Sequence, residues 1–199
     1  MSILEEFHEN EIVNRIKEIQ DNYYSKNKKN TIFKNKQKLD CANAVCNAIP
    51  IDFLISQTIY IIPNTDKIFL DYTIFKLFAN TDNFNQIIDN IFVTIKKCVE
   101  SFSTFEIYIN LDSFTVSALE RYKVVIKDFI NKCISSNTRY SENIINLYIC
   151  NVPKTFDAII KTMKPFIEKQ VYEKIKLYDD STSKQTIAEF HSYRDSLTS

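Results

Sequence analysis

Ile12, Ile16, Ile19 and Tyr23 recur three or four residues apart, and Glu11 and Arg15 form an i,i+4 pair. That spacing gathers apolar groups on one face of a helix and predicts one over residues 3–24. Polar and basic residues then take over. Ser25-Lys26-Asn27-Lys28-Lys29-Asn30, followed by Lys34, Lys36 and Lys38, reads as a connector. A second short helix is expected over residues 39–48, ending near Pro50, which disfavours helix in the residue before it. From Thr58 the period shortens. Thr58-Ile59-Tyr60-Ile61-Ile62 reads as a strand, Pro63-Asn64-Thr65-Asp66 as a turn, and Ile68-Phe69-Leu70-Asp71-Tyr72 as a returning strand.

Asp82-Asn83 can cap a helix running to about Glu100, with Ile87, Ile88, Ile91, Phe92, Ile95 and Val99 on its buried side. A strand over 105–111, a helix over 117–133 and a strand over 144–150 follow. Helix resumes near Thr155, a short strand is expected over 174–178, and a terminal helix over 183–193. Strands and helices alternating at these lengths predict an α/β sheet with parallel crossovers. The central strands are apolar almost throughout, which suits strands covered on both faces. It leaves open which residues face which layer. The grammar divides the chain into a helical extension with a basic linker, residues 1–57, and an α/β domain, residues 58–199.

Hydrophobic residues make up 45% of the 199, enough for a substantial core. Lys+Arg and Asp+Glu are 25 each, so the basic excess of a generic nucleic-acid binder is missing, and no nucleic-acid partner is expected. No apolar run is long enough to span a bilayer, and Met1-Ser2-Ile3-Leu4-Glu5-Glu6 is not a secretory signal. Five scattered cysteines, Cys41, Cys46, Cys98, Cys133 and Cys150, read as buried thiols of a cytoplasmic protein.

The chain has no glycine and no tryptophan and is rich in Ile, Asn, Lys, Phe and Tyr. That composition reads as the coding bias of an AT-rich genome, such as a large virus's. The missing glycine has physical consequences. Phosphate-cradling loops, dinucleotide-binding turns and the strained nucleophile elbow all need it, so their usual forms are excluded. Turns at positive φ are left to Asn or Asp.

His8 and His191 sit near opposite ends, far from a nucleophilic pairing, and Cys41 and Cys46 have no second ligand cluster to join. No catalytic residue, metal or cofactor is expected. Asp112 follows a strand at its carboxyl end, where it either serves a ligand or fixes the turn through Ser113 and Phe114; the turn is the plainer role. The lysine run is either a solvated linker or a contact for anionic headgroups, each lysine then contributing about 1 kcal/mol.

The most specific stretch is residues 139–176. It reads Arg139-Tyr140-Ser141-Glu142-Asn143, then Leu147-Tyr148-Ile149-Cys150-Asn151-Val152-Pro153-Lys154-Thr155-Phe156, then Lys164-Pro165-Phe166-Ile167, then Tyr172-Glu173-Lys174-Ile175. This succession resembles the CRAL-TRIO family, which includes retinaldehyde- and tocopherol-binding proteins and phosphatidylinositol/phosphatidylcholine transfer proteins. The family pattern runs Tyr-Pro-Glu, an apolar strand, Asn-Ala-Pro-x-x-Phe, Lys-Pro-Phe-Leu and a terminal Lys-Ile. Asn-x-Pro alone is weak; four ordered blocks at compatible spacing are much stronger. Ile107-Tyr108-Ile109-Asn110-Leu111-Asp112 is similar to the family's strand ending in Asp. The departures are Ser141 in place of proline, the missing glycine of Asp-x-x-Gly, and unrecognisable N- and C-terminal family segments.

The resemblance implies a mixed, mostly parallel sheet flanked by helices, with a short N-terminal helical extension. It implies non-catalytic binding, presentation or transfer of a phospholipid, phosphoinositide or other hydrophobic small molecule, with transient visits to a membrane surface. Residues 164–175 would gate an apolar pocket lined by Ile107, Ile109, Leu147, Ile149 and Phe166, with Phe156 as a plug and Ile167 in the gate. Burial there is worth about 0.8 kcal/mol per CH₂. Glu142 and Lys174 have the spacing of the family's headgroup contacts; the alternative is a salt bridge or two unrelated surface charges. The divergent BCH-type branch offers a second reading: a filled pocket and a protein-interaction scaffold, with a partner such as a small GTPase.

Overall fold

A computed structural model describes residues 3–135 and 140–196, with side chains described over 12–133 and 140–194. Arg139 and the side chain of His8 lie outside these. The helix α1 (Ile3–Lys26) packs on α2 (Lys34–Ala48), and α3 (Ile51–Thr58) follows. The basic connector is therefore shorter than its polarity suggests. Lys34, Lys36 and Lys38 ride on α2, because lysine is a good helix former and the apolar stripe of α2 extends through Leu39, Ala42 and Val45. No helix among the described residues is by itself long and apolar enough to cross a membrane.

Strands β1 (Ile59–Ile61) and β2 (Lys67–Asp71) form a hairpin, and α4 (Tyr72–Phe78) and α5 (Phe84–Phe102) lead to β3 (Phe105–Asn110). Then come α6 (Val116–Ser135), α7 (Tyr140–Asn143), β4 (Ile144–Cys150), α8 (Phe156–Met163) and a 3-10 turn at Lys164–Phe166. The chain continues with α9 (Lys169–Tyr172), β5 (Ile175–Leu177) and α10 (Asp180–Ser196). The 3-10 turn carries Pro165, whose missing N–H ends the α-helical ladder of α8.

The five strands lie in chain order; β1 is antiparallel to β2 and the rest are parallel. Sequential parallel strands joined by crossovers of one hand place their helices on one face. Here α5, α6 and α8 cover that face, and α10 covers the other. The strands divide accordingly. Ile59-Tyr60-Ile61, Ile68-Phe69-Leu70, Ile107-Tyr108-Ile109 and Leu147-Tyr148-Ile149 each put an aromatic residue between two aliphatic ones. The central residues are in register across the sheet. Tyr60, Phe69 and Tyr108 pack with Phe190 of α10, while the flanking Ile59, Ile61, Ile68, Leu70, Ile107 and Leu147 join the larger core with α5, α6 and α8. Ile16, Val45, Ile49, Leu54 and Ile55 from the N-terminal helices belong to that same larger core.

Two local expectations are corrected. Asn83 stands at the N-cap position of α5 without capping it. Its side chain turns back, accepting from Asn80 N–H at 3.0 Å and donating to the Phe78 carbonyl at 3.0 Å, which closes the α4–α5 loop. Positive φ falls on Asn64 and Asn151 as expected but also on Ser103 and Ser113. Ser103 is the left-handed C-cap of α5, the place glycine normally takes, and its N–H bonds the Val99 carbonyl at 2.8 Å.

Candidate functional site

Between the sheet and α5, α6 and α8 lies a cavity of about 380 Å³. From the sheet it is lined by Ile68, Leu70, Ile107, Ile109, Leu147 and Ile149, all from the aliphatic face. Ile107, Ile109 and Leu147 are only half-buried although helices cover them, because their exposed area faces this space. Tyr72, Phe75, Phe114 and Tyr122 form an aromatic wall toward α4 and α6. Phe156, Ile159 and Met163 of α8 close another side. Polar residues enter the lining chiefly at Ser141, Glu168 and Cys133, which mark its polar end.

Residues 164–175 cross this polar end as the 3-10 turn, α9 and the approach to β5. They are fastened to α7. Gln170 Nε2 donates to Ser141 Oγ at 2.7 Å and to Glu168 Oε2 at 2.9 Å. Lys174 Nζ donates to the carbonyls of Ser141 at 3.0 Å and Ile144 at 2.6 Å. Lys164 lies over the Tyr172 ring at 4.9 Å. The segment is thus attached by side chains rather than by sheet pairing until Lys174 and β5.

The predicted site residues divide. Ile107, Ile109, Leu147, Ile149, Phe156 and Ile167 line the cavity. Phe166 does not. It packs on the core from the rim, with the Lys127 ammonium 4.6 Å over its ring, since the tight 3-10 turn at Pro165 points it away from Ile167. Lys174 reaches the segment that carries Glu142: the carbonyls it binds belong to Ser141 and Ile144, on either side of exposed Glu142. Asp112 is exposed, and the turn after β3 is instead held by Asn110, whose Oδ1 accepts from Asp112 N–H at 3.1 Å.

Sequence reasoning missed the aromatic wall because it extended β2 through Tyr72. The signal was present: Asp71 accepts from Thr73 N–H, an N-cap, and Ile74 and Phe78 follow at helical spacing. It also missed the Ser141–Gln170–Glu168 chain, which joins segments remote in sequence.

The carboxyl ends of the parallel strands carry a second polar cluster. Asp71 Oδ1 accepts from Thr73 N–H and Oγ1–H at 2.8 and 2.7 Å and from Asn110 Nδ2 at 3.1 Å, while Oδ2 lies 3.1 Å from His191 Nε2. Asn151 Nδ2 donates to Asn110 Oδ1 at 2.9 Å, and its N–H donates to Ser183 Oγ at 3.0 Å. The asparagine of the Asn-x-Pro block therefore ties β4 to β3 and to α10.

None of the five cysteines is in a disulfide. Burial pushes Cys98, Cys133 and Cys150 up to about 11, with Glu168 adding to the shift at Cys133. These thiols are protonated at neutral pH and poor nucleophiles. Among the described residues no cluster of His, Cys, Asp and Glu has the makings of a metal site.

Comparison with curated proteins returns no match. A model of the CRAL/TRIO domain matches residues 63–195, from the β1–β2 turn to the last turns of α10, and so takes in the cavity walls and the 164–175 segment. With well over half its length matched, and with a mostly parallel five-stranded sheet flanked by helices beneath that match, the chain belongs to the CRAL/TRIO domain family.

Proposed function

We propose that this protein holds a single lipid, a phospholipid or phosphoinositide, with one apolar chain in the cavity and its headgroup at the rim formed by α7 and residues 164–175. The CRAL/TRIO domain in general binds or transfers lipids and other hydrophobic ligands, without catalysis. The observation that carries the specific reading is the cavity. Its size falls within the range of ligand sites, and its walls are almost wholly aliphatic and aromatic. An apolar cavity of about 150 Å³ takes benzene, so about 380 Å³ takes on the order of 15 carbon atoms. That is one acyl or isoprenoid chain, not two. A second chain would stay outside or require residues 164–175 to move, and their side-chain fastenings suit them to the role of gate.

The rim supplies mixed polarity for a headgroup. An ammonium has three donors, and Lys174 has two on carbonyls, which leaves one for a phosphate oxygen. Glu142 accepts hydroxyls. Organic-solvent extraction of the purified protein, followed by mass spectrometry, should yield a stoichiometric lipid. A protein that is empty by native mass spectrometry and rejects offered phospholipids would instead be a scaffold. Lys174→Ala should abolish phosphoinositide binding and, because two backbone carbonyls lose their donor, cost about 1–2 kcal/mol in urea unfolding. Unchanged phosphoinositide binding would remove Lys174 from the headgroup site.

A further inference from the structure

Net charge is zero over the whole chain, yet between residues 26 and 38 it is strongly one-sided. Lys26, Lys28, Lys29, Lys34, Lys36 and Lys38 are all exposed, and no acidic residue falls between Asp21 and Asp40. At the tip of the loop between α1 and α2 stand Ile32, 82% exposed, and Phe33, 63% exposed, the two most exposed large hydrophobic side chains among the described residues.

The loop holds them outward by specific hydrogen bonds. Asn30 Oδ1 accepts from Ile32 N–H at 2.9 Å and Phe33 N–H at 2.8 Å. Gln37, one turn into α2, accepts from Asn30 N–H at 2.7 Å and donates to the Lys28 carbonyl at 3.0 Å. The base of the loop is anchored to the cavity wall: Asn35 Oδ1 accepts from Ser117 Oγ at 3.3 Å and Arg121 Nε at 3.2 Å, both on α6. Partial burial, then the neighbouring charges of Arg121, Lys76 and Lys34, lower the pKa of Lys38, so these cations share one positive field.

We propose that this loop is a docking element for an anionic lipid bilayer, with Ile32 and Phe33 entering the interface and the surrounding lysines meeting the headgroups. It deepens the lipid-binding reading by naming the surface through which the protein visits a membrane. Two apolar side chains are too small a patch for a stable protein interface, which needs about 1,000 Å². Nucleic acid would meet the lysines but offers no apolar layer for Ile32. A bilayer interface accepts both kinds of group at this spacing.

Vesicle co-sedimentation of the full chain tests it. Binding is expected to vesicles containing about 30 mol % phosphatidylserine, not to pure phosphatidylcholine, and to weaken as salt rises from about 0.1 to 0.5 M. Ile32→Ser with Phe33→Ser should weaken binding at least tenfold, and each of Lys28→Gln, Lys29→Gln and Lys34→Gln about fivefold. Far-UV circular dichroism and the lipid extracted from the purified Ser variant should match the parent, which separates this surface from the ligand cavity. Binding unchanged in the double Ser variant overturns the proposal. So does equal binding to neutral vesicles, or a concentration-dependent dimer that the double variant abolishes, which would make the patch a contact between copies of the chain.

Discussion

Asp71 has no exposure to solvent and still carries its charge at neutral pH. Burial opposes its ionisation, but His191, the Thr73 hydroxyl and the Thr73 N–H outweigh that and hold the carboxyl below the usual range. A carboxylate depressed in the folded state stabilises the fold above its unfolded pKa of about 3.9, and that contribution is lost as pH falls below it toward the folded value. His191→Ala leaves the buried carboxylate short of a partner and should cost about 3 kcal/mol at neutral pH. Acid unfolding, followed by circular dichroism, should then begin at higher pH than in the parent, because the variant starts with less stability to lose. An unmoved acid midpoint would show that Thr73 and Asn110 suffice. This cluster was not legible in the sequence, where Asp71 and His191 are 120 positions apart. Other single residues were more readable. Asn151 was singled out as part of Asn-x-Pro, and its positive φ and paired bonds to Asn110 and Ser183 give that block its physical reason. Ser141, a departure from the family's proline, supplies the hydroxyl that Gln170 binds, which proline could not.

At the scale of elements, β4 emerges from its apolar run with the bounds expected, and α5, β3 and α6 within two or three residues, because long periodic segments carry their own signal. Short helices do not, and α3 and α4 were overlooked for that reason. Which face of each strand meets which layer was left open, yet the alternation carries it. The aromatic residue at the centre of each triplet points to α10, and the aliphatic pairs of β2, β3 and β4 point to the cavity. Tyr108 and Tyr148 stack with ring centroids 4.5 Å apart, and their hydroxyls donate to Glu106. Phe190 completes this layer, with its ring 5.4 Å from Phe69 and 5.0 Å from Tyr108, and its carbonyl accepts from Tyr60 at 3.1 Å. Phe190→Ala should therefore cost about 3–5 kcal/mol in urea unfolding and loosen α10 as a unit. Hydrogen exchange along residues 180–194 checks the second part. Protection unchanged there, with stability lost, would mean that α10 is held by Ser183 and His191 rather than by the aromatic layer.

For the whole molecule, ordered motifs made the family legible and, through it, most of the pocket's lining, but not whether the pocket is open or filled, since a void is a property of side chains that fail to meet. Side chains that face this space lack packing partners there and forgo the contacts that a filled core would make. A protein built this way gains from an occupant. Lipid-loaded protein should unfold at higher temperature than the same protein after delipidation. A free lipid concentration of a hundred times Kd contributes about 2.7 kcal/mol. Ile107 and Leu147 are neighbours in register across β3 and β4, and both line the void. Enlarging both, Ile107→Phe with Leu147→Phe, fills space that is already apolar and should restore part of the missing packing. The double variant should be more stable than the delipidated parent, should carry little or no extractable lipid, and should show no rise in melting temperature when lipid is added. If it instead retains a full complement of lipid, the chain of the ligand does not occupy this cavity. If it neither binds lipid nor gains stability, the void closes in solution without an occupant, and the interaction surface, not the interior, is where this domain acts.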